Sequence, residues 1–172
     1  WNVRISLLKI LLLKMTAKSQ HNDPRPRIAF FAGTFNPFTV GHASIVERAL
    51  SVFDKVVIGV GINSLKTTSV EAERRALVIS RLYSCNPAVS VMTYDCLTTD
   101  AARRAGACCL LRGVRSVRDF EYERDMADIN RQLSGLETVL IYSLPEHAAV
   151  SSSVVRELQA FGKDVSRYLP EK

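Results

Sequence analysis

Residues 28–42 read IAFFAGTFNPFTVGH and decide the fold that the sequence predicts. Residues 28–32 form an apolar run of strand length, and a helical pattern with one apolar stripe begins at His42. Between them, Gly33 permits a tight exit from the strand and Gly41 permits close approach of the backbone to a ligand. The stretch therefore predicts a strand, a glycine-bounded turn and the start of a helix.

The same alternation of strand and helix continues along the chain. Strand-length apolar runs occupy residues 28–32, 56–61, 88–93, 107–111 and 138–143, and helical patterns occupy residues 42–53, 71–84, 98–105 and 118–134. Continuous apolar strands are typical of a sheet that is covered on both faces. The sequence therefore predicts a Rossmann-like, doubly wound α/β fold. We expect one domain with a parallel five-stranded sheet and ligands beyond the carboxyl ends of its strands.

The composition fits a globular domain that needs no disulfide scaffold. The chain has 172 residues, of which 47% are hydrophobic, and a chain of this size buries roughly two thirds of its unfolded surface. Its four cysteines, Cys85, Cys96, Cys108 and Cys109, show no paired Cys-x-x-Cys spacing. We expect them to be small buried hydrophobic side chains in a reducing compartment.

The net charge of +6 is concentrated at the amino-terminal end of the chain. Residues 1–27 contain six Lys or Arg and one Asp, a net charge of +5, which leaves +1 for residues 28–172. A surface for polynucleotide requires Lys and Arg massed on one face, whereas the charges of residues 28–172 are mixed in sign. Neither RNA nor DNA is expected as a partner.

The amino-terminal segment predicts neither a membrane span nor a secretory signal. It begins WNVRISLLKILLLKM, whose apolar stretch is interrupted by Lys9 and is too short to cross a bilayer, and no small-residue cleavage site follows. We expect residues 1–27 to be an extension, flexible or non-native in part, and residues 28–172 to be the functional domain. Residues 1–14, before Met15, are interpreted as upstream sequence, with an amphipathic anchor or an organelle-targeting segment as the alternative.

The turn and helix start at residues 33–42 form a candidate phosphate site, because free backbone amides at a helix start favour an anion. His42 lies in the first helical turn, where the positive end of the helix dipole should lower its pKa. A neutral His42 can then donate one hydrogen bond to a phosphate oxygen. An isolated histidine is more often a surface or core residue, but the surrounding Thr-x-Gly-His pattern favours a functional one.

Two segments in the expected order resemble the signatures of one superfamily. Gly33-Thr34-Phe35 together with Thr39-Val40-Gly41-His42 resembles the first signature of the nucleotidylyltransferases with the (His/Thr)-x-Gly-His motif. Residues 150–156, VSSSVVR, resemble the second signature, a serine-rich helix start that holds ATP phosphates. Three serines also suit a simple helix cap, and capping is compatible with phosphate binding because both use the same unpaired amides.

A third segment narrows the resemblance to one family. Residues 112–123, RGVRSVRDFEYE, follow the predicted fourth strand, and two arginines three apart suit a polyphosphate clamp. Surface salt bridges with the neighbouring acidic residues are the alternative for a basic cluster. The run Arg-Gly-x-Arg followed by Asp-Phe-Glu-Tyr-Glu resembles phosphopantetheine adenylyltransferase, and the resemblance spans about residues 27–171.

The resemblance implies roles for individual residues. It implies that His42, Lys66 and Arg115 stabilise the reacting phosphates. The ATP-binding residues would be Thr34, Phe35, His42, Gly113, Val114, Arg115, Glu123, His147, Ala148, Ala149, Val150, Ser151, Ser152 and Ser153. The residues that bind the acceptor would be Thr34, Lys66, Leu97, Thr98, Arg112, Met126 and Asn130.

The resemblance also implies the ligands and the assembly. The expected reaction is transfer of the adenylyl group of ATP to 4′-phosphopantetheine, which gives 3′-dephospho-coenzyme A and pyrophosphate in coenzyme A biosynthesis. Coenzyme A is a further expected ligand. Mg²⁺ is the expected cofactor, with no side chain predicted to ligate a metal, and the expected assembly is a cytoplasmic homohexamer.

Three positions depart from the pattern of this family. Asn36 stands where an aspartate is common, and Thr98 takes a place that is usually apolar. His147-Ala148-Ala149 replaces a bulkier and often aromatic stretch near the adenine, so we expect the base to be held more by backbone than by stacking. None of these departures changes His42, Lys66, Arg112 or Arg115.

Three other functions compete with this interpretation. Other adenylyl or cytidylyl transferases share the histidine signature, and only the segments that would bind the acceptor favour phosphopantetheine. A non-catalytic nucleotide-binding module would keep the glycines and serines, but it could spare His42 and Lys66. A dinucleotide-binding enzyme is disfavoured because the sequence contains neither a Gly-x-Gly-x-x-Gly nor a Walker lysine motif.

Overall fold

The computed structural model describes residues 25–62 and 68–171, in which five parallel strands form one sheet. The strands are β1 (Ile28–Gly33), β2 (Lys55–Gly61), β3 (Val89–Tyr94), β4 (Cys109–Val114) and β5 (Glu137–Tyr142). Their order across the sheet is β3-β2-β1-β4-β5, so β1 lies at the centre. The predicted parallel, five-stranded α/β sheet is confirmed.

Within the described ranges, five α-helices alternate with the strands or follow them. They are α1 (Val40–Ala49), α2 (Ser69–Leu82), α3 (Thr98–Arg104), α4 (Val117–Ser134) and α5 (Ser152–Ala160), with short 3₁₀ helices at Pro145–His147 and Ser166–Tyr168. The chain first adds strands on one side of β1 and then on the other, so the strand order reverses between β1 and β4. Ligands of open α/β sheets bind at such a reversal, beyond the carboxyl ends of the strands.

Both faces of the sheet are covered, as the apolar strands predict. Neighbouring residues of β1 point to opposite faces: Phe31 packs in a cluster with Ile45 and Val46 of α1, whereas Phe30 packs with Ala101 and Ala102 of α3. Both phenylalanines are almost fully buried, and burial of each stabilises the fold by roughly 1.5–3 kcal/mol. The central strand is thereby fixed from both sides, and its carboxyl end is a rigid support for a site.

Two predicted boundaries differ from the structure by three residues or more. The fourth strand was expected to end at residue 111, but β4 continues to Val114 because Arg112, Gly113 and Val114 pair in register with Leu140, Ile141 and Tyr142 of β5. Arg112 and Gly113 therefore lie in the strand, and the prediction that they follow it is wrong. Helix α1 ends at Ala49 rather than at residue 53, because a tighter turn follows in which the Ser51 amide donates to the Arg48 carbonyl at 3.2 Å and the Val52 amide to the Ala49 carbonyl at 2.9 Å.

The cysteines are all free, but they are not all buried. Cys109 is buried within β4 and Cys96 is half-buried, whereas Cys85 and Cys108 are exposed, so the prediction of four buried thiols is wrong for two of them. Cys108 precedes β4 at the edge of the core, where its thiol donates to the Ile28 carbonyl at 3.3 Å. Cys85 lies in the turn after α2.

Two sequence predictions concern residues that the structure does not describe. Lys66 lies in the undescribed segment 63–67, and residues 1–24 contain nearly all of the expected extension. Within the described ranges, no helix combines the length and hydropathy that a membrane span requires.

Candidate active site

Two adjoining cavities open at the carboxyl ends of β1 and β4. The first, which we call the His42 cavity, has a volume of about 290 Å³, and the second, the Asn130 cavity, has a volume of about 550 Å³. Their common wall consists of residues 32–34, Arg112 and Glu123. The cavities therefore meet where the strand order reverses, which is the position that the fold predicts for ligands.

Most of the predicted site residues line these cavities. The His42 cavity is lined by Thr34, Phe35, His42, Gly113, Arg115, Glu123, Val150, Ser151, Ser152 and Ser153, and the Asn130 cavity by Thr34, Thr98, Arg112, Met126 and Asn130. Five predicted residues, Leu97, Val114, His147, Ala148 and Ala149, are not in the lining of either cavity. Leu97 is largely exposed at the start of α3 and Val114 is buried in β4, whereas Lys66 lies outside the described residues.

His42 occupies the third position of α1, and its protonation is set by the start of that helix. The backbone amide of Thr39, the N-cap residue, donates to His42 Nδ1 at 2.9 Å. Because an amide N–H can only donate, Nδ1 is the accepting nitrogen, which assigns the ring proton to Nε2. Burial lowers the pKa of His42 to about 4, with smaller contributions from the positive charges of Arg115 and Arg112. The expected direction is confirmed, but burial rather than the helix dipole is the main cause.

Three phenylalanine rings surround the imidazole. The ring centroids of Phe35, Phe38 and Phe31 lie 5.2, 5.4 and 6.2 Å from that of His42. Phe35 reaches this position with a φ of 47°, in the left-handed region that non-glycine residues seldom adopt. A Cβ on Gly33 would lie 2.8 Å from the Phe35 ring. Gly33 is therefore required to make room for Phe35, one of the three rings that pack around the imidazole of His42.

Arg112 and Glu123 form a bidentate ion pair on the wall between the cavities. Arg112 Nε donates to Glu123 Oε2 at 2.8 Å and Nη2 donates to Oε1 at 2.6 Å, while Nη1 donates to the Ala32 carbonyl. Burial by itself lowers the pKa of Arg112, but the hydrogen bonds and charge of Glu123 outweigh it and hold the pKa above its usual value. Arg112 therefore stays charged and fixed in place.

Arg115 faces the His42 cavity from the loop between β4 and α4. Its Nε donates to Asp119 Oδ2 at 3.0 Å, and its side chain is 38% exposed. A longer contact of 3.5 Å joins Nη1 to the Val150 carbonyl. Since an exposed pair of this kind is held weakly, Arg115 can turn toward an anion in the cavity.

The serine-rich start of α5 is tied to the loop after β1. Ser151 is the N-cap residue and accepts a hydrogen bond from the Val154 amide at 3.1 Å. Ser152 Oγ donates to the Pro37 carbonyl at 2.8 Å, and Arg156 donates to the Asn36 carbonyl. The two segments that resemble superfamily signatures are therefore in direct contact, although more than a hundred residues separate them in the chain.

The Asn130 cavity contains residues that the sequence analysis did not assign. Tyr94 ends β3, and its hydroxyl lies 3.1 Å from Thr98 Oγ1, so the unusual threonine has a hydrogen-bonding partner. Tyr122 and Thr138 also line this cavity. Tyr94 could have been found, because it stands at the carboxyl end of a strand, where ligands gather. The predicted strand ended one residue too early to include it.

Within residues 25–62 and 68–171, no group of three His, Cys, Asp or Glu side chains is arranged to hold a metal ion. A magnesium ion bound by such a cage therefore does not fit the described residues. Mg²⁺ usually keeps several waters and binds one or two carboxylates together with substrate phosphates.

Comparison with known proteins identifies relatives that align with most of the chain. The Cytidylyltransferase-like family model matches residues 30–158. The chain is 52% identical over 145 residues to the phosphopantetheine adenylyltransferase of Bacteroides thetaiotaomicron, an alignment that covers 84% of this chain and 96% of the relative. It is 54% identical over 147 residues to the phosphopantetheine adenylyltransferase of Porphyromonas gingivalis, covering 86% and 96%.

Solved structures resemble the chain at lower identity. A putative nicotinate-nucleotide adenylyltransferase from Vibrio parahaemolyticus is 16% identical with a TM-score of 0.58, and the match covers 86% of this chain and 88% of that one. A bifunctional NMN adenylyltransferase/ADP ribose pyrophosphatase from Francisella tularensis, complexed with AMP and Mn ion, is 16% identical with a TM-score of 0.59. That match covers 84% of this chain but only 44% of the bifunctional protein. At this identity the likeness supports the fold alone.

Proposed function

The chain belongs to the phosphopantetheine adenylyltransferase family, and from this premise we propose that its two adjoining cavities transfer the adenylyl group of ATP to 4′-phosphopantetheine. The products are 3′-dephospho-coenzyme A and pyrophosphate, so the chain is a nucleotidyltransferase of coenzyme A biosynthesis. The observation that carries the proposal is the common wall at residues 32–34 and Arg112. Two substrates bound one in each cavity meet at that wall.

The His42 cavity suits ATP. It has two helix starts, those of α1 and α5, and amides at helix starts bind phosphate oxygens. Of the residues that line this cavity, we assign Thr34, Phe35, Gly113, Arg115 and residues 150–153 to ATP. Val114 and residues 147–149 do not line it and are assigned to ATP by the resemblance alone. The Nε2 proton of His42 is free to donate to a phosphate oxygen, because Nδ1 is already occupied by Thr39. Arg115 is exposed and its ion pair with the half-buried Asp119 is weak, so it adds a mobile positive charge.

The Asn130 cavity suits the acceptor. Arg112 supports this assignment because it places a positive charge at the end of the cavity that adjoins the ATP site. Thr98, Met126 and Asn130 line the remainder, a mixture of apolar and hydrogen-bonding groups that fits a pantetheine arm with its amides. Thr34 also lines this cavity. Leu97 and Lys66 complete the acceptor set by resemblance alone.

The chemistry requires positioning and charge stabilisation rather than a strong base. A phosphate oxygen of the acceptor is already anionic near neutral pH and attacks the α-phosphorus of ATP in line. A new oxygen–phosphorus bond forms, the bond between the α-phosphorus and the bridging oxygen breaks, and pyrophosphate departs with the electron pair. We propose that His42, Arg115, Lys66 and the backbone amides offset the charge that develops. No covalent enzyme intermediate is required.

Cofactor, compartment and assembly follow from the resemblance as further proposals. Mg²⁺ is proposed to enter with the ATP phosphates. Free cysteines support a reducing compartment, the cytoplasm. The proposed assembly is a homohexamer. Association between copies is supported by exposed apolar side chains on α4 and β5, namely Val117, Tyr122, Ile129, Leu133 and Tyr142. Dephospho-coenzyme A and coenzyme A are the proposed product and an additional ligand.

Pyrophosphate release tests the proposal directly. The enzyme would be given ATP and Mg²⁺ with 4′-phosphopantetheine, and in parallel with nicotinamide mononucleotide or unphosphorylated pantetheine. We expect release with phosphopantetheine alone. Release only with nicotinamide mononucleotide would keep the superfamily and overturn the acceptor, whereas ATP binding without release from any acceptor would indicate a nucleotide-binding module.

A further inference from the structure

Glu123 lies on the wall between the two cavities, and the family resemblance assigns it to ATP. The residue is only 8% exposed. Both of its carboxylate oxygens already accept hydrogen bonds from Arg112, at 2.8 and 2.6 Å. A carboxylate that is this buried, and that Arg112 holds on both oxygens, presents little surface to a nucleotide.

Arg112 is the accessible member of this pair. Its side chain is 32% exposed, against 10% for that of Glu123. A guanidinium has five N–H donors, and the bonds to Glu123 and to the Ala32 carbonyl engage three of its nitrogens. One N–H on each of Nη1 and Nη2 is left over, so the held guanidinium retains two donors on its terminal nitrogens.

We propose that Glu123 is a positioning residue for Arg112: it holds the guanidinium so that these two donors are available to the phosphate of the acceptor. This inference rests on the proposed function of the Asn130 cavity. A planar guanidinium binds phosphate well only in a fixed orientation. An arginine that is held before the substrate arrives loses less side-chain entropy when it binds.

Only a carboxylate at position 123 can hold Arg112 in this way. Glutamine has the same shape, but one oxygen becomes an NH₂ group that donates, and it would face a donor of Arg112. Aspartate keeps the charge but is shorter by one methylene, so it cannot reach both nitrogens from the same backbone position. Glu123→Gln is therefore the sharp test, and Glu123→Asp is the milder variant.

The chain supplies a matched control in Arg115 and Asp119. This pair also joins an arginine of the 112–115 segment to a carboxylate of α4, but it is more exposed and lines the His42 cavity only. Asp119→Asn should leave the KM for phosphopantetheine unchanged. If any loss of charge near the wall raised that KM, Asp119→Asn would raise it too.

The experiment measures both KM values by pyrophosphate release in the parent and the variants. For Glu123→Gln we expect the KM for phosphopantetheine to rise about tenfold or more, the size of one lost charge-assisted hydrogen bond, while the KM for ATP changes by less than about twofold. For Glu123→Asp we expect a smaller rise in the same direction. A ratio of KM values does not depend on how much of a variant is folded, so reduced stability cannot imitate this result.

A double-mutant cycle then tests whether Glu123 acts through Arg112. In an Arg112→Gln background, Glu123→Gln should raise the KM for phosphopantetheine by less than about twofold further, because the group that it positions is gone. If the two substitutions raised the KM for phosphopantetheine independently, so that their effects multiplied in the double variant, the inference would be overturned. A KM for ATP that rises more than the KM for the acceptor would also overturn it and would assign Glu123 to ATP binding. If the parent itself failed to use phosphopantetheine, the proposed function would fall and this inference with it.

Discussion

Helices α1 and α5 both begin at the His42 cavity, but their first turns are held in different ways. The first turn of α1 is enclosed by phenylalanine rings, and the Thr39 amide donates to the His42 side chain. The first turn of α5 has exposed residues, Ser153 and Val154, and is anchored by hydrogen bonds from Ser152 and Arg156 to carbonyls of the loop after β1.

This difference indicates a division of labour between two similar helix starts. Groups that are rigid before the reaction can stabilise developing charge without a cost of reorganisation, which suits the enclosed start of α1. An exposed helix start can adjust to its ligand, which suits the binding of ATP by α5. Variants of the two turns should therefore affect turnover and binding differently.

Removal of the imidazole should have the largest effect. We expect His42→Ala to lower kcat by about a hundredfold to a thousandfold, the usual cost of losing one preorganised donor. The affinity for ATP should fall much less, because the helix amides and serines remain. Pyrophosphate release measures the first quantity and calorimetric titration with ATP the second. Equal turnover in variant and parent would remove His42 from the mechanism, and Ser51→Ala, at a residue that lines neither cavity, serves as the control.

A methyl group added at Gly41 should weaken ATP binding without destabilising the fold. A Cβ there would meet no protein atom closer than 3.6 Å, so Gly41→Ala should fold normally, with a stability gain of up to about 1 kcal/mol from the helical alanine. If the phosphates approach this backbone, affinity for ATP should fall about tenfold, equivalent to about 1.4 kcal/mol. Urea unfolding and ATP titration give the two values.

Gly33→Ala is the opposite control, because its Cβ would overlap the Phe35 ring. It should lower the free energy of unfolding, which Gly41→Ala should not. If Gly41→Ala bound ATP as the parent does, the close approach of phosphate to this backbone would be wrong.

The start of α1 was largely predictable from the sequence, whereas the anchoring of α5 was not. Gly33, Gly41 and His42 lie within ten residues, so local turn chemistry and helix pattern are enough to place them. The contact between Ser152 and Pro37 spans 115 residues and depends on how α5 packs, which no local pattern encodes. The end of β4 was missed for a similar reason, because pairing with β5 extends the strand beyond its apolar run.

The enclosure of His42 should also make stability depend on pH. Its pKa is lowered to about 4 in the folded protein, against about 6.5 in an unfolded chain. The unfolded state therefore binds the proton first, and stability is lost as the pH falls through this window. Between pH 7 and pH 5 the loss should be about 2 kcal/mol.

Urea unfolding of the parent and of His42→Gln at both pH values tests this effect. The variant should lose about 2 kcal/mol less than the parent over the interval, since every other titrating group is shared. Equal losses of unfolding free energy in the two proteins would show that burial does not lower the pKa of His42. The start of α1 would then not hold a neutral imidazole.

The smallest effect is expected at the anchor of α5. Ser152→Ala removes one hydroxyl bond to the Pro37 carbonyl, which should cost about 1 kcal/mol of unfolding free energy, and the KM for ATP should rise because the helix start is less well placed. Ser51→Ala is matched to it: Ser51 Oγ donates to the Arg48 carbonyl at 2.7 Å, but on the exposed surface beyond the other end of α1. That control should leave the KM for ATP unchanged. An unchanged KM for ATP in Ser152→Ala as well would mean that the start of α5 binds ATP without this anchor to the loop after β1.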